Sequence, residues 1–132
     1  MTETPIEPVR TETAGLSVLV ADDQISMRDL LKTILRTLRV TNMESVSNGA
    51  KAIELYRPTR HDIVFLDIDM PELDGFSVLH QLKEIEPRAF VVMVSAHSDI
   101  NNIKKALQLG ASGFVAKPYT SSKIADMLKK FR

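Results

Sequence analysis

Six polar side chains in this 132-residue chain sit where they could work together: Asp22, Asp23, Asp67, Asp69, Ser95 and Lys117. Each stands just after a short apolar run: Leu16 to Ala21, Ile63 to Leu66, Phe90 to Val94, or Phe114 to Ala116. Singly, such residues cap helices or lie solvated in loops. As a set they have a chemical consequence. Crowded carboxylates repel one another, and a cation relieves the repulsion. Oxygen ligands without His or Cys select a hard ion, Mg²⁺ before Zn²⁺. With the carboxylates metal-bound, Asp67 can act as a nucleophile toward phosphorus. Mg²⁺ and Lys117 would then spread the charge on a transferring phosphoryl group.

This chemistry requires elements that bring four separate runs to one edge. The chain alternates apolar runs with amphipathic stretches. Met27, Leu30, Leu31, Ile34, Leu35 and Leu38 fall at helical spacing, with Ser26 placed to cap and Asp29 in the first turn. Met43 to Val46 predicts a weak strand; Asn48-Gly49 is turn chemistry, and Ala50 to Tyr56 predicts a short helix stopping before Pro58. Phe76 to Ile85 predicts a helix, as does Ile100 to Leu109, which Gly110 closes. Ile124, Met127, Leu128 and Phe131 make the last helical stripe. Five strand–helix units in succession, with strands apolar throughout, predict an α/β fold. Its core is a doubly wound five-stranded parallel sheet with helices on both faces. In such sheets function sits beyond the carboxyl ends of the strands, where the polar set falls.

Composition agrees. The length suits one domain. Hydrophobic residues at 44% and charged residues at 26% read as globular. The chain has no Cys, which excludes thiolate chemistry and disulfides. Seventeen basic and seventeen acidic residues cancel, so no overall field draws it onto nucleic acid or anionic lipid. The sequence has neither a signal-peptide pattern nor an apolar run able to span a bilayer, so cytoplasmic residence is expected, with no membrane partner. Residues 1–14, rich in Thr, Glu and Pro with only Ile6 and Val9 to bury, predict a disordered tail. Residues 15–132 form the expected domain.

Asp22-Asp23 after a strand, Asp67 in FLDIDMPELDGF, Ser95 in VMVSA and Lys117-Pro118 in GASGFVAKPY together resemble the receiver domains of bacterial response regulators. The likeness is nearest to stand-alone, chemotaxis-type receivers and runs from about Leu16 to Arg132. It implies a flavodoxin-like receiver fold and a two-component or phosphorelay switch. Asp67 would be the phosphoacceptor. Asp23 would bind Mg²⁺ directly, Asp22 mainly through water, and the backbone carbonyl of Asp69 would complete the protein ligands. Lys117 would pair with the phosphoryl group, and Ser95 would move to hydrogen-bond it. Phe114 occupies the aromatic switch position, where a core role is the competing reading. Asp69 and His97 hold positions that tune hydrolysis of the acyl phosphate, with His97 otherwise simply exposed. Pro118 holds a position often cis in the family.

The resemblance also implies partners. The phosphodonor would be a histidine kinase or histidine phosphotransfer protein. The output would leave through the face of the fourth helix, fifth strand and fifth helix, here offering Lys104, Phe114, Tyr119 and Lys123. No nucleic-acid-binding output is expected within the chain. Asp67 and Asp69 also resemble the Asp-x-Asp pair of haloacid-dehalogenase-type phosphatases. That alternative makes Asp69 an acid/base but leaves Asp22 and Asp23 idle. A receiver serving only as a scaffold is the third reading, and every acidic, hydroxyl and lysine position being filled disfavours it.

Overall fold

A computed structural model describes residues 15–131. The disorder expected for residues 1–14 lies outside the described residues. Five strands and five helices alternate: β1 (Ser17–Ala21), α1 (Ile25–Thr37), β2 (Asn42–Val46), α2 (Gly49–Thr59), β3 (Ile63–Asp67), α3 (Gly75–Ile85), β4 (Val91–Ser95), α4 (Ile100–Gln108), β5 (Gly113–Ala116) and α5 (Ser121–Phe131). All strand pairs are parallel, in the order β2-β1-β3-β4-β5. The expected doubly wound α/β sheet is therefore present.

Burial explains the strand sequences. β3 and β4, IVFLD and VVMVS, are buried along their whole length, because helices cover both faces. On one face, Leu31, Ile34 and Leu35 of α1 and Ile124 and Leu128 of α5 pack on Val18, Val20, Phe65, Val92 and Val94. On the other, Ile53 and Tyr56 of α2, Val78, Leu79 and Leu82 of α3, and Ala106 of α4 pack on Leu19, Val64, Leu66 and Met93. β2 departs from the uniform apolar pattern: Asn42 and Glu44 are exposed, as an edge strand allows.

Two helix boundaries differ from expectation. Ser26 does not cap α1; Gln24 holds that position without a side-chain cap, and its N–H is taken by the Asp22 carboxylate at 2.9 Å. That bond starts the helix upstream of Ser26 and leaves Asp29 beyond the first turn. Pro58 does not end α2 but lies in its last turn, where its missing N–H interrupts only the end of the helical hydrogen-bond ladder. Elsewhere the turn chemistry holds. Asn48 caps α2 through Lys51 N, and Gly110 follows α4 at φ 95°.

Ladder hydrogen bonds continue past the strand ends and fix the backbone of the polar set. Asp22 N–H donates to Val46 O (3.1 Å), Ile68 N–H to Val94 O (3.0 Å) and Lys117 N–H to Ser95 O (2.9 Å). Sequence order reverses direction at β1 and β3, which opens a crevice beyond their carboxyl ends.

Candidate functional site

Asp22, Asp23 and Asp67 meet in that crevice. Each offers a carboxylate oxygen within 4.8 Å of the others. Asp22 and Asp67 are buried, while Asp23 is exposed. Lys117 reaches in from the β5–α5 loop, with Nζ 2.8 Å from Asp22 Oδ2 and 3.5 Å from Asp67 Oδ2. The Lys117–Pro118 peptide is cis. Asp23, Gln24, Asp67, Asp69, Ala96, His97 and Lys117 line an open cleft of about 190 Å³.

The electrostatics follow from this packing. Burial, and then the charge of Asp22, push the Asp67 carboxyl up to about 7 against the pull of Lys117. A single ammonium therefore does not neutralise the cluster. Three carboxylates with no His or Cys among the donors suit a hard divalent cation, which fits the residues present.

Ser95 lies at the end of β4, fully buried. Its hydroxyl accepts the His97 N–H at 2.8 Å and donates to Asp69 Oδ2 at 3.4 Å. Asp69 is exposed. Its N–H donates to Asp67 Oδ1 at 3.3 Å, and its carboxylate lies 3.2 Å from His97 Nδ1. His97 is thus exposed, as read from sequence, yet paired across the mouth of the cleft.

The β3–α3 loop approaches closely. Gly75 N–H donates to Ile68 O at 2.9 Å, and a Cβ at Gly75 would press on the Asp67 carbonyl and come within 2.7 Å of Ile68 Cα. Arg28 Nη1 on α1 donates to the Asp22 carbonyl at 2.7 Å. Sequence reasoning missed Gln24, Arg28 and Gly75. For Arg28, a signal existed in its place one helical turn after Gln24.

The expected partner surface is only partly assembled. Phe114 is half-buried against the α2–α4 core, and Lys104 and Lys123 are exposed. Phe114 and Lys123 join Ser98, Ile103, Asp126 and Met127 around a shallow cleft of about 480 Å³. Tyr119 is not part of this face, which corrects the sequence expectation. The turn after Pro118 buries its ring among the α1 and α5 side chains and brings its hydroxyl to 3.4 Å from Asp22 Oδ2. Burial, then the Asp22 and Asp67 charges, raise the Tyr119 phenol, so it is a donor at neutral pH.

Residues 18–129 match the family model described as the response regulator receiver domain. The chemotaxis protein CheY of Bacillus subtilis is 34% identical over 113 residues, covering 86% of this chain and 94% of that protein. Sporulation initiation phosphotransferase F of the same organism is 30% identical over 114 residues, 86% of this chain and 91% of that one. Among solved structures, the CheX-CheY-BeF3-Mg complex from Borrelia burgdorferi aligns with a TM-score of 0.82 at 30% identity, covering 86% of each chain. These matches give no support to a dehalogenase-type phosphatase. The Asp69 carboxylate is taken up by Ser95 and His97.

Proposed function

Because this chain belongs to the response regulator receiver family, whose members are phosphorylation-controlled signalling switches, we propose that Asp67 is its phosphoacceptor. The observation that carries this reading is the placement of Asp67, buried between Asp22 and Lys117 at the floor of an open cleft. An Asp67 oxygen attacks the phosphorus of a phosphohistidine or of acetyl phosphate. The phosphorus–nitrogen or phosphorus–oxygen bond of the donor breaks, and an acyl phosphate forms. Asp22, Asp23, Asp67 and the backbone carbonyl of Asp69 would hold Mg²⁺, which when bound supplies charge neutralisation at the phosphoryl oxygens.

The chain's own residues read the new dianion. Lys117 already lies 3.5 Å from Asp67 Oδ2, so its ammonium turns from the carboxylates to the phosphoryl oxygens with little travel. Ser95 gives up Asp69 to donate to the same group, and Phe114 follows into the space beneath. The output face is that of α4, β5 and α5, with Phe114 and Lys123 around the cleft beside β5 and Lys104 exposed on α4. The phosphodonor is a histidine kinase or histidine phosphotransfer protein, and the response is a changed affinity for a partner protein, without turnover of a small molecule. Residues 15–132 constitute the receiver domain, residues 1–14 precede it as a tail, and the protein works in the cytoplasm. Among the described residues, no helix is long and apolar enough to cross a membrane.

Acetyl phosphate with Mg²⁺ should label the parent protein once per chain and then stop. Asp67→Asn should abolish the label. Label that persists on Asp67→Asn would remove Asp67 from the role, and continued turnover of acetyl phosphate without a labelled intermediate would favour a hydrolase.

A further inference from the structure

Asp22 carries more hydrogen bonds than a loop carboxylate needs. Oδ1 accepts the Gln24 N–H at 2.9 Å, and Oδ2 receives both Lys117 Nζ at 2.8 Å and the Tyr119 hydroxyl at 3.4 Å. The donors on Oδ2 differ in kind. Lys117 is a flexible ammonium that also faces Asp67 at 3.5 Å and Gln24 Oε1 at 3.5 Å. Tyr119 is fixed: its ring is packed in the core formed with Leu31, Val94, Val115 and Ile124, and only the hydroxyl reaches the site. A Phe would satisfy that core equally well, so packing alone gives the oxygen no purpose. At 3.4 Å the contact is long, and it gains weight because the carboxylate is buried and water cannot substitute.

We propose that Tyr119 is a positioning residue for the metal site: its hydroxyl holds the Asp22 carboxylate in its ligand orientation, both beside Lys117 and after Lys117 turns away to the phosphoryl group. This role rests on the reading of Asp22, Asp23 and Asp67 as Mg²⁺ ligands. Without Lys117, Oδ2 of Asp22 would keep Tyr119 as its remaining side-chain donor in the described structure. A carboxylate with a rigid partner stays aimed at the cation, and one without it rotates among several orientations, which weakens binding. The arrangement also ties the loop after β5 to the loop after β1, which flank Asp67 at the same edge of the sheet.

The test is Tyr119→Phe in the full chain, which keeps the ring. Isothermal titration with Mg²⁺ should show affinity weakened about tenfold, the lower end of what a lost ligand partner costs. The Mg²⁺ concentration for half-maximal labelling by acetyl phosphate should rise in step, with excess Mg²⁺ bringing the rate back. Unfolding in EDTA should stay close to that of the parent, which separates positioning from loss of structure. A second reading does not depend on that variant. The chain has two Tyr and no Trp, so Tyr56→Phe leaves Tyr119 as the sole strong emitter. Its emission should titrate with Mg²⁺ at the calorimetric midpoint, because the cation changes the acceptor of its hydrogen bond. Parent-like affinity in Tyr119→Phe, or Tyr119 emission unmoved through Mg²⁺ saturation, would overturn the role while leaving the metal site standing. Absence of Mg²⁺ binding by the parent would remove the metal site and this role together.

Discussion

Asp67 is held in the fold at a cost that its chemistry needs. Its carboxyl is raised from an ordinary 3.8 to about 7, by burial first and by Asp22 second. Between about pH 4 and pH 7 the fold therefore keeps a proton that the unfolded chain has released. Stability contributed by this group is present below that window and lost as pH rises through it. In EDTA, Asp67→Asn should remove the slope and stabilise the fold at pH 7.5 by on the order of 2 kcal/mol, a discounted share of the shift. Urea unfolding from pH 4 to pH 8 checks this; an Asn variant with the parent's slope would contradict it. Lys117 acts in the opposite direction. It lies 2.8 Å from the buried Asp22, and its loss leaves two carboxylates facing each other. Lys117→Ala should lose about 2–4 kcal/mol in EDTA, as expected for breaking a buried pair. Mg²⁺ should still bind and restore most of the loss, but labelling should no longer change partner affinity. A partner that distinguishes labelled from unlabelled Lys117→Ala would argue against the role assigned to Lys117.

Among the elements, the β3–α3 loop is the most demanding. Gly75 lies against the backbone of Asp67 and Ile68, where a side chain has no room and the obstructing atoms are main chain. Gly75→Ala should therefore displace Asp67 itself, costing about 2–4 kcal/mol and slowing labelling well beyond the loss of folded protein. Urea midpoints measured beside labelling rates would decide it, and a variant matching the parent in both would show that the loop yields. Gly75 also shows where sequence reading stops. The strands and their order of polar residues were legible because burial on both faces leaves uniform apolar runs, and the residue after each run must lie at the crevice. That reasoning reached Asp22, Asp23, Asp67, Ser95 and Lys117. It gave no direction to side chains in loops. Tyr119 looked like an exposed aromatic beside lysines until the turn after Pro118 folded it inward. Ser26 looked like a cap because sequence does not reveal that Asp22 has already taken the Gln24 amide.

For the whole molecule, the sheet is a stiff plate between two cores, and the helices are not held to it equally. α1 buries Leu31, Ile34 and Leu35, α2 buries Ala52, Ile53 and Tyr56, and α3 buries Val78, Leu79 and Leu82. α4 buries only Ala106 and leaves Ile100 and Leu107 more than half exposed. Local opening is easiest where least apolar surface is buried, so α4 is the element that a change at the site can move most cheaply. The route to it is short. Ser95 ends β4, pairs with Ala116 of β5, and is followed two residues on by His97, whose carbonyl accepts from Asn102 Nδ2 on α4. Ser95 also grips the His97 N–H, so a Ser95 hydroxyl drawn toward a phosphoryl group pulls on the start of α4. Beryllofluoride with Mg²⁺, a stable stand-in for the phosphoryl group, should change amide exchange chiefly over residues 96–116 and leave α1 and α2 as they were. At a hundredfold excess over its dissociation constant it should also stabilise the fold by about 2.7 kcal/mol. In Ser95→Ala the mimic should still bind and stabilise, but the exchange response of α4 should shrink toward zero. Hydrogen exchange on parent and variant, each with and without the mimic, separates these outcomes. An equal α4 response in both would mean that the signal crosses the sheet by a path that bypasses the hydroxyl.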